Sequence, residues 1–179
     1  MARKRKVKSD KTRIRGFMRR LAEYGVDDID KFRELVSEAR VKRKRSLEEL
    51  MADDDFFADV NSELDTISRL TDELSIVALY RVVEVVRAQM LVHDLGAAVQ
   101  AHKMYKIDQV KNALRTHKNL DLQTIPFHRD IDRLRDLNNK IKHTDARSIH
   151  GLDKKYEQFR VKVPKYIFRL AERMKLRYK

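Results

Sequence analysis

Two prolines and four glycines in 179 residues leave few positions at which a helix must stop. Apolar residues recur at three- and four-residue steps rather than alternating, so the chain reads as all-α, a helical bundle of about five to seven helices. Its length supports one core without help from disulfides. The organisation read from charge and periodicity is a basic N-terminal tail over 1–20, N-terminal helices over 21–61, and a bundle over 62–179 that closes with a basic C-terminal helix.

Local signals place the elements. Asp27 and Asp28 sit at a helix start, ahead of Ile29, Phe32, Leu35, Val36 and Ala39, and Arg40 through Arg45 supply the bases that suit a C-terminal end. Ser46 with Glu49 has the capping-box spacing for a separate short helix, which Asp53, Asp54 and Asp55 interrupt. The longest periodic segment, a central helix over about 62–95, carries Leu64, Ile67, Leu70, Leu74 and Val77 on one stripe and ends at Gly96. Between Ile76 and Val92 apolar residues surround the helix, so this part is expected to be buried on most sides. A helix over 107–116 follows, then a polar loop to Gln123, a helix opened by Pro126 that runs through His143, and a last one opened by Pro164.

The formal charge of +13 is unevenly placed. Residues 1–20 hold ten Lys/Arg and one acid, residues 160–179 hold eight and one, and the body between them is slightly acidic. Such ends attract polyanions without reading a base sequence, and they nominate Arg3, Lys4, Arg5, Lys6, Arg169 and Arg173 as nucleic-acid contacts. The absence of cysteine removes thiolate metal sites, thiol nucleophiles and disulfides. No glycine spacing forms a phosphate loop or dinucleotide cradle, no histidine pair has metal-ligand spacing, and no nucleophile elbow is present, so neither cofactor nor metal is expected. No apolar run reaches membrane-span length and the basic start lacks the apolar stretch of a secretory signal, which reads as a cytoplasmic chain with no membrane partner.

One segment combines residues that could do chemistry. On a helical wheel Phe127, Ile131, Leu134, Leu137 and Ile141 form a buried stripe, and Asn138 falls inside it. Arg135, Asn139 and His143 are spaced i, i+4, i+8 and share a polar ridge, flanked by Lys140 and Lys142. Cleavage of RNA without metal needs a group to take the 2′-hydroxyl proton and another to stabilise the phosphorane or protonate the leaving oxygen, roles open to His and Arg. His143 would then act as general acid/base, Arg135 or Lys142 would stabilise the phosphate, and Asn139 would orient the imidazole. A solvated polar face is the plain alternative for the same pattern.

The string Asn138-Asn-Lys-Ile-Lys-His143, with the apolar helix Ile76-Val-Ala-Leu-Tyr-Arg-Val-Val-Glu84 before it, resembles the HEPN superfamily of small helical bundles over about residues 62–150. The resemblance implies metal-independent ribonuclease activity of a toxin–antitoxin, phage-defence or abortive-infection type, RNA as partner, a homodimer with facing motif helices, and an antitoxin or complex partner. Asn139 and His143 match the polar and His positions of the family motif. Asn138 stands where the motif Arg is commonest, and Arg135 lies about two helical turns before His143. A second reading is therefore kept, a non-catalytic nucleic-acid-binding or protein-interaction helical module. Arg87 and His93 have motif-like spacing within the apolar helix and are read as coincidental.

Overall fold

The computed structural model describes residues 2–50, 54–143 and 149–176, with side chains described from residue 13 to 48 and from 59 onward within those ranges. Six α-helices appear among the described residues: α1 (Ala2–Leu50), α2 (Asp54–Leu95), α3 (Ile107–Lys118), α4 (His128–His143), α5 (Leu152–Arg160) and α6 (Lys162–Arg173). Short 3-10 turns at Gly96–Ala98, Ala101–Lys103 and Leu122–Thr124 join the middle helices. No strand occurs among the described residues, and the architecture is all-α.

The first half departs from the sequence reading. The start at Asp27, the stop after Arg45 and the separate helix capped by Ser46 do not exist, because α1 runs unbroken from Ala2 to Leu50. The boundary at residue 20 disappears with them. Ile14, Met18, Ala22, Val26 and Ile29 continue one apolar seam at three- and four-residue steps and are all buried. Helix α2 likewise begins at Asp54, within the acidic run, and incorporates the whole of 62–95. Pro126 precedes α4 instead of lying in its first turn, and Pro164 sits within α6, which opens at Lys162.

Helices α1 and α2 form an antiparallel hairpin. Gly25 fixes their closest approach, since a Cβ there would stand 2.7 Å from a Val82 methyl. Beyond Ile29 the hairpin leaves the main core as an arm about 30 Å long, from 20 residues at 1.5 Å each. Arg33 pairs with Asp72 at 2.7 Å, Arg40 donates to Ser68 at 2.9 Å, and Leu47, Val60 and Leu64 form a small separate cluster near the tip. The base of the arm is braced by α5. Asp30 accepts from the Tyr156 hydroxyl and from Arg160, each at 2.7 Å, and the Arg33 guanidinium lies 4.4 Å from the Tyr156 ring centre.

The main core gathers the inner side of the α1–α2 hairpin with α3, α4, α5 and α6. Ile76, Leu79, Val83, Met90 and Leu91 are fully buried, which bears out the central position read for this stretch of α2. Helix α3 closes on Asn119 in the left-handed conformation, whose N–H reaches the Arg115 carbonyl, an end that Asn tolerates better than most residues. No helix among the described residues is long and apolar enough to cross a membrane.

Candidate functional site

Helix α4 carries the motif. The chain enters it through Phe127, whose left-handed φ of 69° turns the backbone so that its carbonyl accepts from the Asp130 and Ile131 amides at 3.1 Å. The predicted stripe is inward: Ile131, Leu134 and Leu137 are buried, with Phe127 and Ile141 partly so. Asn138 is 2 % exposed. Among the described residues its Nδ2 reaches only the Asn139 Oδ1, at 3.4 Å, and its Oδ1 has no hydrogen-bond partner.

Asn139, Lys140, Lys142 and His143 all stand exposed around the last turn of α4. That is the helix end with unsatisfied carbonyls, where cationic side chains are favoured. Arg135 is different. Its guanidinium pairs with Asp132 at 3.1 Å and Asp136 at 3.3 Å, and Asp132 lies on the N-terminal side, away from His143. Eight residues separate Arg135 from His143, about 12 Å along the axis. The ridge thus brings together an imidazole, an amide and two ammonium groups, while its guanidinium is occupied by carboxylates.

The remaining predicted contacts are scattered. Arg169 is exposed and donates to Glu172 at 2.9 Å, 5.9 Å from the Phe168 ring centre, and Arg173 is exposed one turn further on. The side chains of Arg3, Lys4, Arg5 and Lys6 lie outside the described residues, although the backbone there is α1. Among the described residues no three His, Asp or Glu side chains gather in an arrangement that could hold a metal ion.

A second polar cluster escaped the sequence reading. Arg87, read there as coincidental, is 1 % exposed in the middle of α2, and neither its Nε nor its Nη2 has a hydrogen-bond partner. Around it stand Tyr80 from the same helix, His128 and Asp132 from α4, and Tyr166 from α6. The Asp132 Oδ2 is 3.2 Å from the His128 Nε2, and the His128 and Tyr166 rings stack with centres 6.3 Å apart. Burial lowers the His128 pKa, opposed by Asp132 and reinforced by the charges of Lys111, Arg87 and Arg135. Burial raises both Tyr80 and Tyr166, and the cation of Arg87 pulls each back. The cluster joins three helices, with Arg87, His128, Tyr80 and Tyr166 buried and Asp132 partly exposed at its edge. One signal was available, a lone Arg within the run Val82–Val92, where a charge has few ways to reach solvent.

Compared with protein-family models, curated proteins and solved structures, the chain has no match.

Proposed function

We propose that the chain is an RNA-binding helical domain of HEPN-like type that contacts RNA through the C-terminal turn of α4 and the basic first third of α1. The observation that carries this reading is the joint exposure of Asn139, Lys140, Lys142 and His143 at one helix end. Ammonium groups supply the phosphate attraction, and an amide beside an imidazole can hydrogen-bond a phosphate oxygen or a 2′-hydroxyl, the group that distinguishes RNA from DNA. On this reading the protein works in the cytoplasm, with an antitoxin or complex partner as the resemblance implies. Fluorescence anisotropy with a short single-stranded RNA tests it. Lys140→Glu with Lys142→Glu should weaken binding at least tenfold, and unchanged affinity would reject the α4 surface.

Metal-independent cleavage at the same ridge is a second reading, favoured by the exposure of His143 beside Asn139. Arg135 then contributes little as the phosphate cation, because two carboxylates already hold it, and Lys142 takes that role. Incubation of structured RNA with chelator present decides. Cleavage by wild type and its loss in His143→Ala supports the reading, whereas equal cleavage by both, or none by either, removes it.

A further inference from the structure

The stripe Ile67, Leu70 and Leu74, which periodicity alone assigns to packing, is left exposed by the described residues. Leu74 is 56 % exposed, and Ile67 and Leu70 are also exposed. On α1 the same is true of Phe32, of Leu35 at 65 %, and of Ala39. These six residues belong to one surface. Arg33–Asp72 and Arg40–Ser68 define the inner seam of the arm, and on each helix the exposed residues lie about 100–160° round from that seam in the same rotational sense. Equal rotations on two antiparallel helices lead to the same side of the hairpin. Helix α5 braces the other side through Asp30, so this face is left uncovered.

The spacing is that of a coiled-coil seam, with steps of three and four on both helices. We propose that the arm pairs with the arm of a second copy, antiparallel, to close a four-helix bundle through this face. Charge complementarity selects that occupant. Asp28 and Arg43 are exposed on the rim, equally far from a point between residues 35 and 36. Glu63 and Arg81 are also exposed, equally far from residue 72, which Arg33–Asp72 places at nearly the same height. A two-fold axis across the helices at that point brings Asp28 of one copy to Arg43 of the other and Glu63 to Arg81. A two-fold along the helices would instead lay α1 on the other copy's α2 and bring Asp28 to Arg81, so that only the first arrangement lets a swap of Asp28 and Arg43 restore pairing. Among the described residues of one chain Asp28 has only the loose 3.8 Å contact of Lys31, and Arg81, although it holds Glu84 at 3.2 Å and lies 4.7 Å from the Tyr105 ring centre, stays well exposed. The face is about 30 Å long and two helices, about 20 Å, wide. That gives about 600 Å² per copy and about 1,200 Å² in total, the lower end of what a specific interface needs. This surface is separate from α4, so the dimer leaves the Asn139–His143 turn open.

The test uses the full chain after nuclease treatment, at about 50 µM, by light scattering on a sizing column. The expected mass is twice 21.3 kDa. Leu35→Glu, at an exposed site that folding does not need, should give the monomer mass. Arg43→Glu should shift the dimer toward monomer, and Asp28→Arg added to it should restore the dimer. Because the chain has no cysteine, direction is read by mild oxidation: Leu35→Cys should form an interchain disulfide and Arg43→Cys should not. A monomeric wild type, a dimer that survives Leu35→Glu, or a disulfide at Arg43→Cys would overturn the proposal.

Discussion

Replacing Asp30 by Ala should loosen the joint between arm and bundle by a magnitude that the contacts define. The carboxylate accepts the hydroxyl of a fully buried Tyr156 at 2.7 Å and pairs with Arg160 at 2.7 Å. Burial and this carboxylate push the Tyr156 pKa far above its usual value, so the phenol stays a donor throughout the working range. A hydrogen bond to a charged acceptor contributes about 1.5–3 kcal/mol, much of it the cost of leaving a buried donor unpaired. The Arg160 pair is about one-third exposed on both sides and adds at most about 1 kcal/mol. Asp30→Ala should therefore cost about 2–3 kcal/mol, or roughly 4–12 °C in Tm for a chain of this size. Urea unfolding followed by circular dichroism gives the value. Tyr156→Phe in both backgrounds completes the cycle, and in the Asp30→Ala background the removal of the orphaned hydroxyl should cost almost nothing. A loss under about 0.5 kcal/mol for Asp30→Ala, or strictly additive single changes, would refute the brace.

Other expectations concern the buried cluster on α2. Arg87→Met removes two unpartnered donors and a desolvated cation while keeping most of the volume, so stability should hold or rise by up to about 2 kcal/mol; a loss of more than about 0.5 kcal/mol in urea unfolding contradicts the description. The same change takes away a charge that lowers the His128 pKa, and the imidazole should titrate higher by NMR. His128 is itself a pH element. Its folded pKa lies below the unfolded value of about 6.5, so the unfolded chain takes up the proton first. Its share of stability is complete above about pH 6.5 and declines as pH falls below it. The difference between wild type and His128→Gln in urea midpoints between pH 7 and 5 should show that slope, and a pH-independent difference would contradict it.

The legible parts of this chain are those decided by local pattern. The helical wheel put Asn138 inside the α4 stripe, and it is buried there. The apolar surround of Ile76–Val92 likewise gave the central part of α2. The helix start at Asp27 was illegible, because its capping signal competes with a buried seam that runs from Ile14 through Ile29, and a seam buried by tertiary packing outweighs a cap of about 1 kcal/mol. Arg87 was illegible for another reason. Its burial is made by His128 and Tyr166, distant in sequence, and no local window contains them. The stripe of Ile67, Leu70 and Leu74 was read as a packing face, and within one chain it stays uncovered.

The tail is also less separable than its charge suggests. Ile14 and Met18 belong to the core, so deletion of residues 1–20 would remove core packing as well as cations. The central claim is best tested by the salt dependence of RNA binding with the chain intact. Anisotropy titrations of wild type and of Lys140→Ala with Lys142→Ala, from about 50 to 300 mM salt, give the slope of log K against log salt. A single-stranded contact contributes about 0.7 per phosphate neutralised. We predict a steep wild-type slope that the double change makes shallower by about 1.4, with weaker binding at every salt concentration. Salt-independent binding, or a slope identical in both proteins, would contradict an RNA contact at the end of α4.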